Sequence, residues 1–154
     1  MRAAIVGGIV GFTLLAAAGA AEGGSAVGAA DFVVLKHLSG SLAVNVEHVE
    51  SVFQFKREDG KPARVRLNLP AGDSKTVEGA EAEALWTALR DTHGARFVWV
   101  AHMEGTLGIP VHKIQSAFKA ANGDVRLNYP GDPQGKTVSG DEAARVWAHV
   151  TGAK

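Results

Sequence analysis

Phe32–Phe53 reads FVVLKHLSGSLAVNVEHVESVF, and Phe97–Phe118 reads FVWVAHMEGTLGIPVHKIQSAF. The two stretches align without a gap, and the match continues downstream. VRLNLP at Val65–Pro70 faces VRLNYP at Val125–Pro130, and KTVEGAEAEALW at Lys75–Trp86 faces KTVSGDEAARVW at Lys136–Trp147. About twenty positions are identical over about 55 residues, which marks an internal duplication and not a shared composition. Fold, core and candidate sites can therefore each be read twice.

Phe32 to Leu38 and Phe97 to Met103 are rich in the β-branched and aromatic residues that suit a pleated surface. Ser39-Gly40 and Glu104-Gly105 follow as turn signals, so a hairpin is expected. The returning strand alternates Leu42, Val44 and Val46 against Ala43 and Asn45, matched by Leu107, Ile109 and Val111 against Gly108 and Pro110. Pro110 cannot donate to a ladder, which predicts an edge strand or a strand end. Val49, Ser51, Phe53 and Phe55 suggest a third strand. Val65, Leu67 and Leu69 alternate with Arg66 and Asn68 to give a fourth, with Asp59-Gly60 and Asn122-Gly123 as the turns between. Lys75-Thr76-Val77 and Lys136-Thr137-Val138 each lead into a helix. Ser139 and Glu142 fit a capping box at its start. Ala143, Val146, Trp147 and Val150 form an apolar stripe, as do Ala82, Leu85, Trp86 and Leu89.

The expected fold is α+β: two tandem repeats, each a small antiparallel sheet of four to five strands closed by one C-terminal amphipathic helix, packed as one pseudo-twofold body. Residues 1–20 read as a signal peptide, with an N-terminal anchor as the alternative, and 21–31 as a flexible spacer. Repeat 1 spans 32–90, the linker 91–96 and repeat 2 97–151. The leader reading rests on Met1-Arg2, the uncharged run from Ala3 to Ala21 and the A-x-A site at Ala18-Gly19-Ala20. It places the rest of the chain in the periplasm or outside the cell, with no membrane insertion after cleavage, or tethers it by the uncleaved anchor.

The pattern LxGxxxxNxxxVxxV at Leu38, Gly40, Asn45, Val49 and Val52, followed by VRL and then TVxGxE before a helix, resembles the small flagellar-operon (swarming-motility, FlbD-like) proteins. The resemblance covers one repeat at a time and implies a fold, with no catalytic signature. In the second copy Pro110 stands where Asn45 does in the first.

The chain has no cysteine, which excludes disulfides, a thiol nucleophile and a cysteine-based zinc site. Its 16 basic residues balance 16 acidic ones, so no charge excess marks a nucleic-acid partner, and none is expected. His37 and His102 occupy equivalent places and would form a zinc or copper site only if the fold brought them together; otherwise each ends a strand on a neighbouring carbonyl. Arg66 with Asn68, and Arg126 with Asn128, form two donor-rich rows that suit carboxylates, sugars or a peptide backbone, or else a solvated strand face. Trp99 replaces Val34 and joins these four as a candidate ligand contact. Gln134-Gly135-Lys136-Thr137 fails the phosphate-loop spacing, and Ser51 and Ser116 lack a nucleophile elbow. No catalytic residues and no cofactor are expected.

The sequence thus favours an exported, non-enzymatic binding module for a protein or envelope component. A small enzyme or metal protein using His37 and His102 at the repeat interface is the first alternative. A structural envelope protein that self-associates through edge strands is the second.

Overall fold

The structure, a computed structural model, describes residues 31–37 and 40–153. The leader and residues 21–30 of the spacer lie outside the described residues. The strands are β1 (Phe32–His37), β2 (Gly40–Asn45), β3 (Ser51–Phe55), β4 (Arg64–Asn68) and β5 (Ser74–Glu78), then helix α1 (Gly79–Asp91). They are followed by β6 (Phe97–His102), β7 (Gly105–Pro110), β8 (Ser116–Lys119), β9 (Val125–Tyr129), β10 (Asp132–Val138) and α2 (Gly140–Thr151). A single 3-10 turn, at Val46–His48 and again at Val111–Lys113, follows the second strand of each half.

Among the described residues, ten strands form three antiparallel sheets, and these do not divide where the sequence repeat divides. One sheet holds β1 and β2, one holds β8, β9 and β10, and the five-stranded sheet between them runs β5-β4-β3-β7-β6. The hairpin of the second half is therefore spliced onto the first. Val52 stands opposite Gly108, Phe53 opposite Leu107, Gln54 opposite Thr106 and Phe55 opposite Gly105.

This corrects the expectation of two tandem units, each with its own closed sheet, in one pseudo-twofold body. A twofold axis would turn the β3–β7 pairing into an equivalent β8–β2 pairing. Among the described residues β8 pairs only with β9, and β2 only with β1. The coarse α+β class describes the molecule; the symmetric arrangement does not.

The central sheet has a core on each face, because successive residues of a strand point to opposite sides. On one face Val52, Val65, Leu67, Val77 and Phe97 pack with Val33, Leu35 and Val44 of the hairpin and with Ala82, Leu85 and Leu89 of α1. On the other, Val98, Val100, Leu107 and Ile109 pack with Val125, Leu127, Tyr129 and Val138 and with Ala143 and Val146 of α2. Each fully buried aliphatic or aromatic side chain contributes roughly 1.5–3 kcal/mol. β6 is buried on both faces, which explains its nearly continuous apolar sequence.

The capping box at α2 is not formed, since Ser139 makes no side-chain cap bond. Glu142 Oε1 instead accepts a hydrogen bond from the Ala101 N–H at 2.9 Å, covering part of the free edge of β6. Pro110 is the last residue of β7, as its missing N–H requires, yet β7 is an inner strand and not an edge.

Two glycines permit the splice by their lack of a side chain. A Cβ at Gly105 would lie 2.1 Å from the Gln54 carbonyl oxygen, and one at Gly108 would lie 2.4 Å from Trp99 Cζ3 and 2.7 Å from Val52 Cγ1. In the β1–β2 hairpin the pair corresponding to Trp99 and Gly108 is Val34 opposite Ala43. The larger ring is matched by the smaller partner, so the volume of the pair is shared out differently in the two halves. Gly108→Ala should therefore destabilise the fold by about 1–3 kcal/mol through overpacking. In urea denaturation, adding Trp99→Val to Gly108→Ala should recover part of that loss, whereas Trp99→Val alone should only destabilise.

Candidate functional site

Among the described residues, a cleft bordered by two arginines and a histidine lies along the outer edge of β6, where α1 ends on one face of the sheet and α2 crosses the other. A cavity of about 220 Å³ is lined there by Arg90, Gly94, Phe97, Val98, Trp99, Arg145, Val146 and His149. Arg90 comes from the last turn of α1, and Arg145 and His149 lie one turn apart on α2. None of the eight lining residues is acidic.

The aromatic wall is ordered by stacking. Trp99 lies over Phe97 with ring centroids 5.1 Å apart and meets Trp86 edge-on at 4.9 Å. The Arg90 guanidinium lies 4.8 Å from the Trp99 ring centroid, a cation–π contact that holds its charge at the mouth. Trp99 Nε1 donates to the Gly94 carbonyl at 3.1 Å, and a ring nitrogen of His149 bonds the Ala95 carbonyl at 3.1 Å. Arg145 has Glu142 at 3.6 Å, but its side chain is 71% exposed, so the pair leaves the guanidinium available.

The backbone of β6 adds a donor. Phe97 N–H bonds the Gly94 carbonyl and Ala101 N–H bonds Glu142, so both point away from β7. Pro110 opposite Phe97 fits the same phase, having no N–H to return. By strand alternation the Trp99 N–H, midway between them, faces the same free edge. Two guanidinium groups, an imidazole and a main-chain N–H thus border one cleft with an aromatic wall. That combination can hold an anion with a planar apolar body.

The residues expected to bind ligand are placed differently. Asn68 Nδ2 donates to Ser51 Oγ, and Asn128 Nδ2 to Ser116 Oγ, each at 2.8 Å. The two asparagines thus make the same cross-strand bond in both halves and are occupied by the scaffold. Arg126 Nη2 donates to the Gln134 carbonyl at 2.6 Å on the outer face of the three-stranded sheet. Arg66 is exposed on β4, in a different sheet, opposite Thr76 and Phe53. The two Arg/Asn rows therefore belong to separate sheets. Of the five expected ligand residues, Trp99 lines the cleft.

The two histidines of the metal alternative lie on strands of different sheets. His37 belongs to the β1–β2 sheet and His102 to the end of β6 in the five-stranded sheet. His102 Nδ1 faces the Lys136 ammonium at 3.4 Å, and its ring meets Phe53 edge-on at 5.9 Å. No group of three or more metal-ligating side chains converges among the described residues.

No protein-family model and no curated protein matches the chain. A solved structure similar to it is the LytTr DNA-binding domain of a response regulator from Bacillus cereus, at 15% identity, covering 79% of this chain and 97% of that chain, with a TM-score of 0.43. Beside this likeness the expectations of an exported binding, metal or envelope module and of a chain without a nucleic-acid partner are set aside. Those expectations leaned on a leader outside the described residues and on a balanced total charge. Total charge is a poor guide here, because a neutral chain can still collect Arg90, Arg145 and His149 in one cleft. At this TM-score the likeness assigns no DNA-binding role to the chain, and none is built on it.

Two histidines outside the cleft carry a pH dependence. Burial, then the nearby Lys136, lowers the pKa of His102 below its usual 6.5, and Asp132 offsets this in part. Burial, then Lys113 and Arg96, lowers that of His112, although Glu47 Oε2 lies 3.5 Å away. His112 Nε2 also bonds the Glu47 carbonyl at 2.9 Å, which a neutral ring satisfies. With both folded-state pKa values depressed, the unfolded chain binds protons first, so their contribution to stability is present above about pH 6.5 and is lost as pH falls through the folded values. Thermal midpoints should fall between about pH 7 and pH 5, and a His102→Gln/His112→Gln variant should show a smaller fall. Separately, Asn68→Ala leaves the Ser51 hydroxyl, only 3% exposed, without its partner. It should cost about 1–3 kcal/mol in a denaturant titration, and Asn128→Ala less, because Ser116 is open to water.

Proposed function

We propose that the protein binds a small organic anion, a carboxylate or phosphate ester on a planar apolar body, in the cleft along β6. The observation that carries this reading is the convergence of Arg90, Arg145 and His149 on a Trp99 wall with no acidic residue lining the cavity. Arg90, Arg145 and His149 are all exposed, so charge-assisted bonds to the anion would each contribute at most about 1.5–3 kcal/mol. The apolar wall would bury the body of the ligand. The small volume, about 220 Å³, favours a single ring over a dinucleotide.

The test is calorimetric titration of the full chain with phenyl phosphate, benzoate, inorganic phosphate and benzyl alcohol, followed in parallel by tryptophan fluorescence. The reading expects one or both aromatic anions to bind with a change in emission, and the neutral alcohol to fail. Arg145→Ala and Arg90→Ala should each weaken the anion roughly tenfold or more. The two aromatic probes separate phosphate from carboxylate preference. Absence of binding to every anion at millimolar concentration, or binding unchanged in both arginine variants, would overturn the reading. So would tight binding of a DNA duplex that neither variant affects, since the anion site would then lie elsewhere.

A further inference from the structure

The β3–β7 pairing has unfilled counterparts at the two ends of the molecule. By sequence match, β8 corresponds to β3 and β2 corresponds to β7. Within the described residues, the outer edges of β8 and β2 pair with no strand. The same ends carry exposed apolar side chains. Phe118 on β8 is 64% exposed, and Phe32 and Val34 on β1 are 41% and 68% exposed. Phe32 and Val34 occupy the positions of Phe97 and Trp99, which lie against Trp86 of α1 where the halves join. The counterpart of Trp86 at the far end is the half-buried Trp147 of α2.

We infer that β8 of one copy of this chain pairs with β2 of a second copy, head to tail, in the register of the β3–β7 pairing. Transposing that register sets Ala117 opposite Ala43, Phe118 opposite Leu42, Lys119 opposite Ser41 and Ala120 opposite Gly40. The side chains fit this transposition. At the internal seam Val52 meets Gly108, where a methyl would lie 2.7 Å from Val52 Cγ1. At the ends Ala43 carries that methyl, and the facing residue has become the shorter Ala117. Trp99 has likewise become Val34, which relieves the other contact. Gly40 retains the glycine that the close approach of β3 requires at Gly105. Phe118 would be covered by Leu42 as Phe53 is by Leu107.

The contact joins different surfaces of the two copies. Because β8 does not return to β2 within one molecule, the interface is heterologous, and each copy keeps one free end for the next. A second copy is the occupant argued for because the template for the contact is the chain's own internal seam.

The chain has no cysteine, so single cysteines report contact directly. Full-length Ala43→Cys and Ala117→Cys variants, each with an unchanged thermal melt, are oxidised separately and as an equimolar mixture. Opposed strand positions about 5.5 Å apart at Cα suit a disulfide. The inference expects a dimer in the mixture joining unlike chains, identified by mass spectrometry, with at most traces from either variant alone. The unmutated chain should gain mass with concentration in sedimentation, and Phe118→Asp should abolish the gain. Like-with-like dimers as abundant as the unlike one would overturn the inference in favour of random or symmetric contacts. A mixture that stays monomeric would overturn it too, leaving those ends covered by something other than a second copy.

Discussion

The pairing of β3 with β7 is the constraint on which the rest of the molecule depends. It fixes the second half relative to the first by main-chain hydrogen bonds, and so turns a three-stranded sheet and a hairpin into one five-stranded sheet. That sheet has apolar residues on both faces because it must close two cores at once. Each half is about 55 residues, a size at which a single core is marginal, so sharing a sheet adds to both cores. The polar contacts at the join follow the same geometry. Arg96, just before β6, pairs with both Asp31 and Glu47 of the first half, and His112 reaches the Glu47 carbonyl.

The cleft is a product of that join. Among the described residues, the splice leaves β6 at the sheet edge with α1 on one side and α2 on the other, so cations from two helices meet beside an edge strand. The junction occurs once in the chain, and its residues differ from their counterparts accordingly. Arg145 and His149 stand where the first helix has Ala84 and Ala88, Arg90 stands where the second has Thr151, and Trp99 stands where the first hairpin has Val34.

This explains how much was legible in the sequence. Strand alternation and helix stripes are local, and Val65, Leu67, Val125 and Leu127 are buried as their period-two pattern demands. Which strands pair across the halves is not local, and a duplicated sequence suggests a symmetry that the chain need not adopt. Residues that recur, such as Arg66 with Arg126, suggest a site, but among the asparagines recurrence marks scaffold: Asn68 and Asn128 hold Ser51 and Ser116 in the same way. The departures carried the site signal, and Trp99 with Gly108 was the visible one. Arg90, Arg145 and His149 look like ordinary solvated helix residues until the helices are placed.

Native-state hydrogen exchange on the full chain tests the central claim most directly. If the β3–β7 pairing unites the two cores, the amides of β4, β7 and β9 should exchange through a single global opening, with the same free energy and the same denaturant dependence. Two openings of different free energy, one for residues before the 91–96 linker and one for those after it, would show two independently stable halves and contradict the account.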